Sequence, residues 1–209
     1  NTMYYRTMAY AAGAYYKLQN FSKANYYYSR VYDGCPELKT AAHYSFKPQE
    51  ESDWTASLAL CANNDEKATL WQMLGITYAD EKRSIQEIYA LNPRSEKLNL
   101  LLTRAVNKEE SRFTAWDYYQ LDSGREPLPK DASASNELLS LVTRIADAKT
   151  TQQPFMWQIA AGYLNMLNGD AKKAATWYAA AEKTLPKEEL AKDQLRMFRL
   201  LNTIGSTNT

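Results

Sequence analysis

The chain of 209 residues contains few of the residues that build β-sheets and tight turns. Val and Ile, which strands favour, together number nine. Glycine and proline number seven each, which is low for a turn-rich β protein. Ala and Leu, by contrast, supply about a quarter of the chain, and both are good helix formers. The composition therefore predicts an all-α protein.

Residues that carry chemistry are also scarce. The two cysteines, Cys35 and Cys61, are far apart, and there is one histidine, His43. This spacing indicates neither a disulfide framework nor a zinc site, and no glycine-rich phosphate loop occurs. The adjacent pair Glu109 and Glu110 is expected to be solvated, because neighbours on a helix point about 100° apart. We therefore expect no enzyme, no metal and no cofactor, and two buried thiols; a bridge between the cysteines is the alternative.

A charge of one sign and long apolar runs are both missing. The net charge is +1, with acidic and basic residues interspersed over most of the chain, and no basic block indicates nucleic acid. No apolar run is long enough to cross a bilayer. The chain begins with Asn1 inside a helical pattern and shows no signal peptide, so we expect the remainder of a longer polypeptide around it. The tyrosine- and asparagine-rich composition leads us to expect a bacterial cell envelope or periplasmic location.

Two stretches 150 residues apart share one pattern of small, aromatic and proline residues, with gaps of 12, 4 and 8 residues in both. The first stretch consists of Ala12, Ala24, Tyr28 and Pro36, and the second of Gly162, Ala174, Tyr178 and Pro186. A small residue lets two helices cross closely, a second one opens the partner helix, an aromatic ring fills the gap, and proline ends the pair. The pattern predicts an antiparallel helix pair near each end of the chain.

Hydrophobic periodicity and capping residues predict where individual helices begin and end. Apolar residues of helical period predict helices over 81–91 and 154–167. Ser22 is predicted to cap the second helix of the first pair, and Asp170 the second helix of the last pair.

One clear interruption lies at 122–135, which holds a glycine, two prolines and a Ser/Ala run. We therefore predict N-terminal helical repeats over 1–121, a surface loop over 122–135 and C-terminal helical repeats over 136–209. Because the loop is short, we expect the two parts to form one continuous solenoid; a division into two sub-domains is the alternative.

A third motif spans Trp71 to Tyr78 and reads Trp-x2-Leu-Gly-x2-Tyr, with Leu74 and Gly75 in its middle. This motif and the two helix-pair patterns resemble the tetratricopeptide repeat (TPR) family. The resemblance covers about 100 residues. It implies a right-handed superhelical stack of antiparallel helix pairs, an α-solenoid whose first helices line a concave groove. It also implies a protein- or peptide-binding scaffold without chemistry of its own. Other helix-pair solenoids with the same small and aromatic pattern remain the alternative fold.

The resemblance suggests where a partner would bind. If the first helix of the last repeat faces the concave side, one stripe of apolar residues lines the groove there, and methionine adapts well to varied partners. The alternative is that the final helix, or a partner domain, covers this stripe. The candidate groove residues are Met156, Ile159, Tyr163 and Met166 in the last repeat, and Arg6, Tyr16 and Gln72 in the earlier ones.

Sixteen tyrosines are the unusual feature of the composition, and nine of them crowd the first helix pair. One interpretation is that each ring is buried while its hydroxyl stays in water. The other is a tyrosine-rich recognition surface, because tyrosine offers contact area at little entropy cost. The second function that we consider is therefore a small-ligand or glycan-binding helical domain that uses surface tyrosines.

Overall fold

The computed structural model describes residues 2–122 and 132–207, and every regular element in these two ranges is helical. They contain no strand, which confirms the prediction of an all-α protein. A 3-10 helix at Pro36–Leu38 lies between the second and third α-helices. In chain order the α-helices are α1 (Thr2–Lys17), α2 (Phe21–Gly34), α3 (Lys39–Ser45), α4 (Glu51–Ala59), α5 (Asn64–Tyr78), α6 (Glu81–Leu91), α7 (Lys97–Asp122), α8 (Ala132–Ala148), α9 (Pro154–Leu167), α10 (Ala171–Glu182) and α11 (Glu189–Thr207).

Side-chain caps set the start of the second helix in both the first and the last pair. The carboxylate of Asp170 accepts a hydrogen bond of 3.0 Å from the Lys173 backbone N–H, as an N-cap does. In the first pair the cap is Asn20, whose side-chain oxygen accepts from the Lys23 backbone N–H at 3.2 Å. Ser22 donates its hydroxyl to that same oxygen at 3.1 Å. The prediction of Asp170 is confirmed, and that of Ser22 is wrong.

The chain divides into two compact units, Asn1–Leu101 and Leu102–Thr209, called unit 1 and unit 2 below. This boundary falls within α7 and differs from the predicted division at 122–135. Residues 123–131 of the predicted loop lie outside the described residues. Because α8 begins at Ala132, the end of the predicted loop belongs to that helix.

Unit 1 is built around α2, against which α1, α3, α4 and α5 pack, while α6 pairs with α5. A chain of rings runs through its interior. Trp54 meets Phe46 edge-on, and its ring centroid lies 4.8 Å from that of Trp71. The guanidinium of Arg83 lies 5.0 Å from the Trp71 centroid. Edge-to-face rings and a cation over indole are favourable arrangements, so this chain joins α4, α5 and α6.

Unit 2 is built around α9, against which α8, α10 and α11 pack. Trp157 and Leu164 of α9 are fully buried. Because α9 is buried on several sides, its sequence is apolar nearly all round the helix. The core shared with α10 and α11 consists of Ile159, Ala174, Tyr178, Ala181 and Leu195, with Phe155, Met166, Leu185 and Phe198 packed against it.

Candidate functional site

The last helix pair contains the close crossing that its small residues predict. Tyr178 of α10 is fully buried, and its ring lies against Gly162 of α9. A Cβ at Gly162 would lie 2.7 Å from Tyr178 Cδ1, so only glycine leaves room for the ring in this position. Ala174 is also fully buried, one turn before Tyr178. Pro186 follows the end of α10.

The candidate groove stripe in this pair is covered by the last helix. Ile159 belongs to the core between α9, α10 and α11, and Tyr163 is 8% exposed. The ring centroid of Phe198 on α11 lies 5.1 Å from that of Tyr163. Met156 and Met166 are half-buried. Ile159 and Tyr163 therefore cannot line an open groove, because α11 occupies the space in front of them.

Two buried phenols of unit 2 differ in their hydrogen bonding. Tyr163 donates to Glu110 Oε1 on α7 at 2.7 Å, and burial together with Glu110 raises the pKa of this phenol. The hydroxyl of Tyr178 has no hydrogen-bond partner among the described residues, and burial raises its pKa. Glu109, expected to be solvated, is buried and pairs with Arg112 at 3.2 Å. Because Glu110 accepts the hydrogen bond from Tyr163, it also has a structural role, which the sequence pattern did not indicate.

The Trp71 motif also forms a close helix crossing. Trp71 is buried in the interior of unit 1, and Gly75 faces Ser84 of α6. A Cβ at Gly75 would lie 2.7 Å from Ser84 Oγ. The last residue of the motif, Tyr78, is half exposed and donates to the Pro48 carbonyl at 2.8 Å. The motif therefore shapes the contact of α5 with α6, while its final tyrosine ties α5 to the segment before α4.

The first helix pair follows the same pattern more loosely. Ala12 and Ala24 are fully buried, whereas Tyr28 is only half-buried. A Cβ at Gly13 would lie 3.5 Å from Tyr28 Oη, which is an ordinary contact distance. Pro36 begins the 3-10 helix that follows α2. Small residues let α1 and α2 pack closely, but the ring of Tyr28 is not fully buried between them.

The groove candidates in the earlier repeats have three different environments. Gln72 is buried, and its side-chain amide donates to the Lys97 carbonyl at 3.2 Å, so it is not free to bind a partner. Tyr16 is half-buried, with its ring centroid 5.2 Å from that of Phe21. Arg6 is exposed. Of these three candidates, Arg6 alone is exposed.

Helix α1 presents an exposed face that sequence reasoning missed. We define the outer face of α1 as Met3, Thr7, Tyr10 and Ala14 together with Leu18, which directly follows the helix and donates its backbone N–H to the Ala14 carbonyl; all five are exposed. Its three large residues are 73%, 78% and 76% exposed. At 100° per residue these positions lie opposite Ala12, which packs toward α2. The spacing of seven and eight residues is present in the sequence, but the TPR resemblance predicts the neighbouring face of α1, with Arg6 and Tyr16, as the binding side.

The last helix has a comparable exposed face in unit 2. Leu195 is buried against α9 and α10, and Asn202 donates to the Ala171 carbonyl at 3.0 Å. The residues on the other side of α11 are exposed. They are Leu190, Met197, Leu200, Leu201 and Ile204.

The two cysteines and the histidine all belong to unit 1. Cys35 and Cys61 are both free, and Cys35 donates to Glu37 Oε2 at 3.2 Å. Burial raises the pKa of Cys61 to about 11, so this thiol stays protonated near neutral pH. His43 lies beside the ring of Tyr44. In the part of the chain that the structure describes, no three His, Cys, Asp or Glu side chains are grouped as a metal site.

None of the described helices is both long enough and apolar enough to cross a bilayer. No protein-family model, curated protein or solved structure matches this chain.

Proposed function

We propose that this chain is a non-enzymatic scaffold that binds a protein or peptide partner and is built from TPR-like helix pairs. The observation that carries the proposal is the outer face of α1. It places a methionine, a tyrosine and a leucine, each about three-quarters exposed, along one side of a helix whose other side packs on α2. Large exposed apolar residues that share one side of a helix are typical of interaction sites.

The helix crossings support the TPR-like part of the proposal. Each of the three motif regions brings a small residue of one helix against a side chain of the next. This arrangement lets antiparallel neighbours approach closely, which is how repeats of this kind stack. The three contacts are Gly13 with Tyr28, Gly75 with Ser84, and Gly162 with Tyr178.

The composition of the outer face favours a protein partner. Tyrosine and methionine are enriched at protein interfaces, where tyrosine supplies rigid contact area and a hydroxyl for hydrogen bonds. Methionine adapts its shape to the surface that it meets. Met3 and Leu18 flank Tyr10 on this face, so that apolar contact and hydrogen bonding are both available to a peptide.

The second candidate function is glycan binding, and it rests on three exposed tyrosines. Tyr4, Tyr10 and Tyr44 are all more than half exposed. A sugar would use the rings but would have no use for the aliphatic side chains of Met3 and Leu18. Substitution of those two residues by serine therefore separates the candidates, because it weakens a peptide complex and leaves a sugar complex unchanged.

A peptide-display selection against the full chain tests the proposal. We expect the wild-type chain to enrich a family of peptides and the variant Met3→Ser/Tyr10→Ser to lose them, since the anchoring side chains are gone. The matched control is Leu190→Ser/Met197→Ser, which removes two exposed apolar residues from α11. Circular dichroism checks that both variants keep their helices.

Three results would count against the proposal. If only the α11 control variant loses the enriched peptides, the binding surface lies on α11 of unit 2 and not on α1. Selection that yields no peptide at all would remove the scaffold function. Quenching of tyrosine fluorescence by oligosaccharides, with no peptide enriched, would favour the glycan-binding domain.

A further inference from the structure

The first 32 residues of the chain have a one-sided charge that the overall balance conceals. The first acidic residue is Asp33, and four cations precede it, although the net charge of the whole chain is only +1. These cations are Arg6, Lys17, Lys23 and Arg30. The remainder of the chain is therefore slightly acidic, and the positive charge is concentrated on the pair formed by α1 and α2.

One of the four cations is neutralised inside unit 1. The guanidinium of Arg30 lies 3.4 Å from Asp33 Oδ2 and 3.6 Å from Glu66 Oε1. The Glu66 carboxylate also accepts from the Tyr26 hydroxyl at 3.1 Å and from the Ala62 backbone N–H at 2.9 Å. Arg30 is thus part of a network that holds α2 against α5, and its charge is not available at the surface.

The other three cations are exposed and, among the residues that the structure describes, have no acidic partner. Around the axis of α1, Arg6 lies about 60° from Met3 and about 40° from Tyr10. Lys17 lies about 40° from Met3 and about 20° from Tyr10. Both cations therefore lie along one edge of the outer face. Lys23 extends from α2 over the ring of Tyr15, 5.1 Å from its centroid. Tyr15 lies beyond Leu18 on the opposite edge of that face.

We propose that the outer face of α1 binds an acidic segment of a partner protein, an inference that rests on the scaffold function proposed above. Aspartate or glutamate side chains of the segment would meet Arg6, Lys17 and Lys23 along the two edges. Its apolar or aromatic side chains would pack between Met3, Tyr10 and Leu18. Charge complementarity around an apolar centre steers the encounter and fixes the register of such a complex.

The exposed face of α11 does not share this chemistry. Arg196 pairs there with Glu189 at 3.3 Å and with Asp193 at 2.7 Å, and Lys192 pairs with Glu189 at 3.1 Å. Both of these cations are therefore paired within the helix, and the remaining cation of α11, Arg199, pairs with Glu182 of α10 at 2.8 Å. The unpaired positive charge distinguishes the outer face of α1 as the one suited to an acidic partner.

A peptide segment fits the outer face better than an anionic lipid surface does. A helix that lies in a membrane interface buries a broad face of large apolar residues. On the outer face of α1, Thr7 and Ala14 separate the three large side chains, and the central one is a tyrosine, whose hydroxyl suits hydrogen bonding to a peptide. The experiment nevertheless includes vesicles as a competing outcome.

The test is a selection of random dodecapeptides on phage against the full chain, followed by binding of the enriched peptides measured by fluorescence polarisation. We expect the enriched peptides to be rich in Asp and Glu and to weaken in binding between about 50 and about 500 mM salt, because salt screens exposed charges. The variant Arg6→Glu/Lys17→Glu is expected to weaken binding roughly tenfold. The neutral variant Arg6→Gln/Lys17→Gln should give a smaller loss.

The matched control is Lys183→Glu/Lys187→Glu, which changes the net charge equally at two exposed lysines of unit 2 and should leave binding unchanged. Enriched peptides that are neutral or basic but still require Tyr10 would overturn this inference and leave the scaffold function in place. A selection that enriches nothing would remove both. Binding to phosphatidylserine vesicles that depends on Arg6 and Lys17, without enrichment of acidic peptides, would overturn the inference in favour of a membrane surface.

Discussion

The first and the last helix pair carry the same residue pattern at the same spacing, and they differ in how deeply it is buried. In the last pair, Tyr178 is sealed against Gly162 beneath α11. In the first pair, Tyr28 is half-buried, and one side of α1 is open. The pattern therefore determines which helices cross closely, whereas the elements packed around the pair decide whether it forms a core or a surface.

Alanine at the two crossing glycines is expected to have opposite effects on stability. Gly162→Ala should destabilise unit 2 by about 1–3 kcal/mol, because the new Cβ overlaps a ring that is stacked on Phe198 and has no free space. Gly13→Ala should stabilise unit 1 by up to about 1 kcal/mol, because the Cβ makes an ordinary contact and alanine favours helix. Urea unfolding followed by circular dichroism measures both. A shift of the same sign in the two variants would contradict the difference between the pairs.

Removal of a hydroxyl group sharpens the comparison within the covered pair. Tyr163→Phe should cost about 1–2 kcal/mol, because it removes the hydrogen bond that the buried Tyr163 hydroxyl donates to Glu110. Tyr178→Phe should be neutral or slightly stabilising, because its hydroxyl is buried without a partner. Each variant is the other's control, since both lose one oxygen from a buried ring. Equal losses of thermal stability would show that the hydrogen bond to Glu110 contributes nothing.

The smallest expected effect concerns the caps of the two pairs. The side chain and backbone N–H of Lys173 hold the pKa of Asp170 below its ordinary value. Its contribution to stability is therefore complete above the ordinary carboxyl pKa and is lost as the pH falls through the lower folded value. The pair capped by Asn20 has no such dependence from its cap, because asparagine does not titrate.

This difference can be measured with Asp170→Asn, which keeps a capping oxygen and removes the titration. The thermal midpoint of the wild type should approach that of the variant as the pH falls from about 6 to about 2. An Asn20→Asp variant should acquire the dependence that Asp170→Asn loses. A gap between wild type and Asp170→Asn that stays constant with pH would contradict this role of the carboxylate.

Local patterns predicted two helices to their exact bounds, whereas the loop predicted over 122–135 overlaps the start of α8 at Ala132. The predicted ranges 81–91 and 154–167 agree with α6 and α9, because apolar periodicity and turn residues act within a few residues of each boundary. The all-α class followed from composition for the same reason. The Gly162–Tyr178 contact was also foreseeable, since a fixed spacing on two antiparallel helices brings these positions together.

Burial from distant elements was not foreseeable in the same way. Ile159 and Tyr163 form a regular apolar stripe whether α11 covers them or solvent does, so the sequence alone left both possibilities open. Gln72 is buried, and its side-chain amide donates to the carbonyl of Lys97, 25 residues away; no local pattern predicts such a contact. The outer face of α1 was readable as a stripe, but its exposure depends on the absence of any covering element among the described residues of unit 1.

The exposed side of α1 also bears on how firmly that helix is held. Ala12 is the one residue of α1 that is fully enclosed among Thr2–Lys17. Helices with little enclosed surface open at lower free energy than the rest of a domain. A ligand bound across Met3, Tyr10 and Leu18 would cover the exposed side of α1. Binding would therefore also raise the free energy of local unfolding of this helix. The footprint of a partner on this helix would then be recorded as slower amide hydrogen exchange along its whole length.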